Sequence, residues 1–102
     1  MTLSADEADG MEMHGATLRL LTTACPEQYD VLIGDARIGY LRLRHNRFTA
    51  EYPDVGGKLV YESAPKGCGE FEPAERFHCL SSAVVALVRR HEARKEVDHD
   101  PD

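Results

Sequence analysis

Hydrophobic and polar positions alternate through the middle of the chain and give way, towards its end, to steps of three and four. Alternation marks strands buried on one face, and the later spacing marks an amphipathic helix. Residues 16–23, "ATLRLLTT", form a first expected strand that stops before Cys25 and Pro26. Residues 28–33 follow with Tyr29, Val31 and Ile33 on one face; Gly34, Asp35 and Ala36 supply a glycine-containing loop, and residues 37–44 make a third strand. His45 and Asn46 fit a two-residue turn, since Asn tolerates the left-handed backbone of a tight hairpin and His is the weaker choice.

That turn fixes a register. Leu43 faces Phe48, Leu41 faces Ala50 and Gly39 faces Tyr52 on one side; Arg44 faces Arg47, Arg42 faces Thr49 and Tyr40 faces Glu51 on the other. One face of the hairpin is therefore apolar and the other cationic. Pro53 cannot donate to a ladder and ends the strand, "DVGG" loops back, and residues 58–61 return as a last short strand.

Pro73 suits the first turn of a helix, where its missing N–H has no intrahelical partner to lose, and Glu72 and Glu75 complement the positive helix end. Phe77, Leu80, Val84, Leu87, Val88 and His91 then make an apolar stripe, with Arg89, Arg90, Arg94 and Lys95 towards the negative end. The predicted fold class is α+β: an antiparallel β-meander of four to five strands with one C-terminal helix packed on the Leu41, Leu43, Phe48 and Tyr52 face. One helix covers one face, so the cationic face is left to solvent or to a partner.

Charge sharpens this picture. The 102 residues carry a net charge of −6, yet residues 1–15 hold −4 and residues 92–102 hold −3, leaving +1 between them. Residues 1–15 show no apolar period and read as a disordered acidic leader; residues 96–102 read as an acidic tail, and the single folded domain is expected over 16–95. No apolar run is long enough to span a bilayer and no signal segment is evident, so a cytoplasmic protein without membrane contact is expected. Three widely spaced cysteines, Cys25, Cys68 and Cys79, fit a reducing compartment better than a disulfide framework.

Catalytic and cofactor patterns fail on their spacing. "GGKL" at 56–59 lacks the first glycine of a phosphate loop, and Leu59 stands where Ser or Thr would hold a metal. Glu75 and His78 have the spacing of a carboxylate-bridged metal site but no second helix to complete it. His78, Cys79 and Cys68 lack paired zinc-ligand spacing. Ser81 and Ser82 lie in a helix without a nucleophile elbow, and His45 has no evident carboxylate to orient it as a base. The expectation is a protein without enzymatic activity, metal or other cofactor.

What remains is the basic hairpin. Arg42, Arg44 and Arg47, with Arg37 as a further contributor, can make bidentate contacts to carboxylates or phosphates, and Tyr40 adds flat contact area. The plainer alternative is a solvated sheet face whose arginines pair with Glu51. The candidate partner-binding residues are Tyr40, Arg42, Arg44, His45, Arg47 and Glu51. A near-neutral domain with two acidic ends weighs against nucleic acid as the partner and favours a protein. An uncovered face or edge can also be buried against a second copy, as a homodimer.

The run "YDVLIGDARIGYLRLRHNRFTAEYPDVGGKLVYE", with its Tyr-containing strand, "GYLRLRH", a Phe and "YPD" before a final strand, resembles small uncharacterised proteins encoded by bacterial phages and prophages, over the stretch from Tyr29 to Val88. The resemblance carries no activity or functional residues. It implies a mobile-element setting, in which small acidic proteins block host machinery such as CRISPR nucleases. The combined expectation is a protein-binding module that inhibits a host defence protein or nucleoprotein complex; the alternative is a nucleic-acid-binding accessory protein using the same arginines.

Overall fold

A computed structural model describes residues 2–23 and 26–98, with side chains as far as residue 94. Five antiparallel strands form the meander: β2 (Ala16–Thr22), β3 (Glu27–Ile33), β4 (Ala36–Arg44), β5 (Arg47–Tyr52) and β6 (Lys58–Ser63), followed by the helix α2 (Pro73–Asp98). Ahead of them lie a single helical turn, α1 (Ala5–Ala8), and a two-residue strand, β1 (Glu12–Met13), so the sheet has six strands in the order of the chain. The α+β class and the single packed helix stand as predicted, and the additional strand comes from the leader.

The leader is the largest correction. Ser4 caps α1 by accepting the Glu7 N–H at 3.1 Å while the Glu7 carboxylate accepts the Ser4 N–H at 2.9 Å, a reciprocal capping box. These bonds hold the Glu7 carboxyl below its usual range, through the Ser4 backbone first and its hydroxyl second. Leu3, Ala5, Ala8 and Met13 are buried, and Leu3 N–H reaches the Pro73 carbonyl at 3.1 Å. Residues 2–15 thus close the β2 edge and the start of α2. Their few apolar side chains recur too sparsely to register as a period, which is why periodicity alone predicts disorder there. At the other end, no glycine or proline interrupts α2 before Asp98, so the helix takes in residues 96–98 of the expected tail. Residues 99–102 lie outside those described.

The β4–β5 register is the one that the tight turn requires: Leu43 opposite Phe48, Leu41 opposite Ala50, Arg42 opposite Thr49, Arg44 opposite Arg47 and Tyr40 opposite Glu51. His45 and Asn46 sit at φ 54° and 60°, the left-handed region in which Asn and His are enriched. Across the core, Leu80, Ala83, Val84 and Leu87 of α2 pack on Leu18, Tyr29, Val31, Leu41, Leu43, Phe48 and Ala50. Gly39 is where helix and sheet come closest. A Cβ there would lie 2.4 Å from Leu87 Cδ1, so only glycine lets the helix seat at this depth.

The helical stripe is rotated from its expected centre. Phe77 is 37% exposed, whereas Arg76 beside it is 2% exposed. Val88 and His91 are half-buried at the flank, and the Tyr52 hydroxyl and His91 Nδ1 share a hydrogen bond of 3.0 Å. Arg76 enters the core because Glu27, 1% exposed on β3, meets it with both carboxylate oxygens: Arg76 Nε donates to Oε2 at 2.9 Å and Nη2 to Oε1 at 3.0 Å. Arg76 also donates to the carbonyls of Phe71, at 2.9 Å, and Leu3, while Glu27 accepts from the Phe71 N–H at 3.0 Å and the Tyr29 hydroxyl. Burial alone would lower the Arg76 pKa, and the Glu27 contacts more than reverse it; burial, then Glu27, pushes the Tyr29 hydroxyl well above its ordinary value. One buried pair therefore ties the leader, β3, the loop before α2 and α2 itself together. Among the described residues no helix is long and apolar enough to cross a membrane.

Candidate functional site

Strand alternation places Arg19, Asp30, Gln28, Tyr40, Arg42, Arg44, Arg47, Thr49, Glu51 and Glu62 on the face turned away from α2. Much of this face neutralises itself. Asp30, nearly buried, is held by Arg19 at 2.8 Å and by Arg37 at 3.2 Å, and Arg37 also reaches Asp54 at 2.6 Å. Arg47 pairs with Glu62. The Val55 N–H, followed by Arg37, holds the Asp54 carboxyl below its usual range, and Asp54 in turn raises Arg37.

Glu51, which the sequence offered as a partner for the arginines, instead accepts the Gly56 N–H at 3.0 Å from the loop after β5. The guanidinium groups of Arg42 and Arg44 are left without a hydrogen bond or ion pair among the described residues, although the Arg42 carbonyl accepts the Thr49 hydroxyl at 3.5 Å. Arg44 moreover stands directly opposite Arg47, a like-charge cross-strand placement that works against the fold.

Tyr40 does not offer the contact area expected of it. It is 7% exposed, its hydroxyl donates to Gln28 Oε1, and burial raises its pKa. Of the six candidate residues, the structure gathers Arg42, Arg44, His45 and Arg47, with Thr49 added, around one open depression of about 320 Å³. Tyr40 and Glu51 stand outside it. A second depression of about 450 Å³ adjoins the first, walled by Arg44, His45, Pro26 and Cys68.

The depression rests on a fixed support. Asn46 Nδ2 donates to the carbonyls of Lys66 at 3.3 Å and Gly67 at 3.2 Å, tying the hairpin tip to the loop before α2. That loop is held in turn by Glu75, whose carboxylate accepts the N–H groups of Lys66, Gly67 and Glu72 at 2.9, 2.9 and 3.0 Å. Partial burial of Glu75 works to raise its pKa, but these three donors outweigh it and the net shift is downward. Glu75 is thus an anchor for the loop and not one half of a metal site with His78. Among the described residues no three His, Cys, Asp or Glu side chains gather as ligands.

Sequence reasoning missed the bond between His14 Nε2 and Ser81 Oγ, 2.7 Å long and bridging the β1–β2 turn to α2. His14 has no further partner among the described residues to set its tautomer, so the pair lacks the third group that activates a serine. It also missed Glu27 and Arg76, although both fall in phase with buried positions, Glu27 with Tyr29 and Val31, and Arg76 with Leu80, Ala83 and Leu87. No protein-family model, curated protein or solved structure matches the chain.

Proposed function

We propose that this protein is a non-enzymatic binding module that docks on an acidic surface of a protein partner through the hairpin end of its open sheet face. The observation that carries the reading is the pair Arg42 and Arg44: two guanidinium groups without carboxylate partners among the described residues, beside a depression, on a face where the neighbouring Arg19, Arg37 and Arg47 each meet a carboxylate. An unneutralised arginine keeps its planar donor set available for bidentate contact with a carboxylate. Docking would also relieve the repulsion between Arg44 and Arg47. Inhibition of a host defence complex, the setting implied by the resemblance to phage and prophage proteins, is the specific form of docking that we propose.

The test is affinity capture from bacterial lysate at physiological salt, with and without nuclease. It compares the native protein with Arg42→Glu/Arg44→Glu and with a variant of equal charge change on the exposed side of α2, Arg89→Glu/Arg90→Glu. A protein captured by the native chain and the helix variant, but lost from the hairpin variant, is the expected result. Equal capture by all three overturns the site, and capture that vanishes with nuclease transfers it to nucleic acid.

A further inference from the structure

Resting on that docking reading, the geometry points to an occupant of definite chemistry. We propose that the site takes an extended acidic peptide segment followed by an apolar side chain, with two carboxylates on Arg42 and Arg44 and the apolar side chain between Pro26 and Cys68. Arg42 and Arg44 are two positions apart on β4, so their Cα atoms are separated by about 6.7 Å along the strand. An extended peptide repeats its same-side residues at that spacing, so carboxylates at alternate positions meet the two guanidinium groups one to one.

Arg44 and His45 wall both depressions. A segment lying along Arg42 and Arg44 would reach the second depression by continuing past Arg44 and His45, the walls common to both. Its wall there changes from Arg42, Arg47 and Thr49 to Pro26 and Cys68, which offer contact to an apolar side chain in place of charge. Preorganisation through Asn46 and Glu75 lowers the ordering cost of capturing a flexible chain.

The same features select a peptide over a single nucleic-acid strand. Strand binding rests on exposed aromatic rings that stack bases, and Tyr40, the aromatic residue that alternation puts on this face, is 7% exposed with its hydroxyl engaged by Gln28.

Fluorescence anisotropy on the full chain decides the matter. The probe is a labelled peptide with two aspartates at alternate positions followed by a leucine. The comparators are the same peptide with serine for leucine, the peptide with asparagine for both aspartates, and a labelled oligothymidylate, all at about 150 mM salt. The expected result is binding of the first probe, weakened about tenfold or more by Arg42→Glu/Arg44→Glu, weakened severalfold by serine for leucine, and no comparable binding of oligothymidylate. Circular dichroism verifies that the variant keeps its fold. Binding that needs the arginines but ignores the leucine overturns this inference and leaves the docking reading standing. So does absence of peptide binding while arginine-dependent capture of a folded protein persists. Peptide binding indifferent to the arginines, or absence of both peptide binding and capture, overturns the docking reading as well, and preference for oligothymidylate replaces it with nucleic-acid binding.

Discussion

Two sets of arginines occupy opposite sides of one sheet. Arg76, on α2, reaches into the core on the covered side, 2% exposed, with its guanidinium shared among Glu27 and the carbonyls of Phe71 and Leu3. Arg42 and Arg44 lie on the uncovered side, and among the described residues their guanidinium groups meet neither a carboxylate nor a carbonyl within hydrogen-bond reach. Removing a charge from water is so costly that Arg76 is tolerable only with its donors satisfied, and its role follows as a structural tie between four segments. Water can stand in for a partner at Arg42 and Arg44, so nothing in the fold demands that they be paired. The contrast teaches where to look for function in a small domain: at charges that the fold has left unmatched.

The largest effect is expected from breaking the buried side. Glu27→Ala or Arg76→Ala leaves the other charge stranded in the core and should cost about 3–5 kcal/mol in unfolding free energy measured by denaturant titration. Glu27→Leu with Arg76→Met should recover part of this loss. Recovery stays incomplete because the Phe71 N–H and the Tyr29 hydroxyl lose their acceptor. If the single variants cost no more than ordinary surface changes, the pair is not the tie described here.

Next comes the seat of the helix. Gly39→Ala forces a methyl group into Leu87 and should cost about 1–3 kcal/mol in the same titration. Adding Leu87→Ala to Gly39→Ala should cost less than the same change made alone, and simple additivity would show that the two do not touch.

On the open side the sign reverses. Arg44→Thr removes the repulsion from Arg47 and should raise Tm by about 1–4 °C in a thermal melt. The same variant should weaken docking. A lower Tm would mean that Arg44 contributes to the fold and is not held in reserve for a partner.

The smallest effect is a slope. Glu75 has a folded pKa below its unfolded value, so its contribution is present above the unfolded pKa and is lost as pH falls through the folded pKa. Glu75→Gln should therefore show a shallower loss of stability on acidification than the native chain, measured by denaturant titration at successive pH values. Parallel profiles would contradict the anchoring role given to Glu75.

The legible parts of the fold were those in which neighbouring residues impose geometry on one another. His45 and Asn46 permit a two-residue turn, and that turn dictates every pairing from Tyr40 to Glu51. Illegible were the features decided by distant partners. Arg76 looks like a surface residue until Glu27, 49 positions away, is brought to it, and that meeting rotates the buried stripe away from Phe77. Tyr40 lies on the face that alternation assigns it, but alternation says nothing about how deeply a ring is sheltered there. The leader folds because Leu3, Ala8 and Met13 join the core built by structure made later in the chain, with Ala5 buried beside them.

The hairpin register has an evolutionary consequence. Since Arg42 and Arg44 alternate with the core residues Leu41 and Leu43 on β4, substitutions at the two arginines can change the charge of the open face while leaving the packed face untouched. The chemistry of the open face can thus vary without disturbing the fold. A single-residue insertion between Leu41 and Arg44 that kept the ladder regular would exchange the two faces beyond it and turn a guanidinium group into the core, whereas the strand already absorbs an extra residue at Ile38.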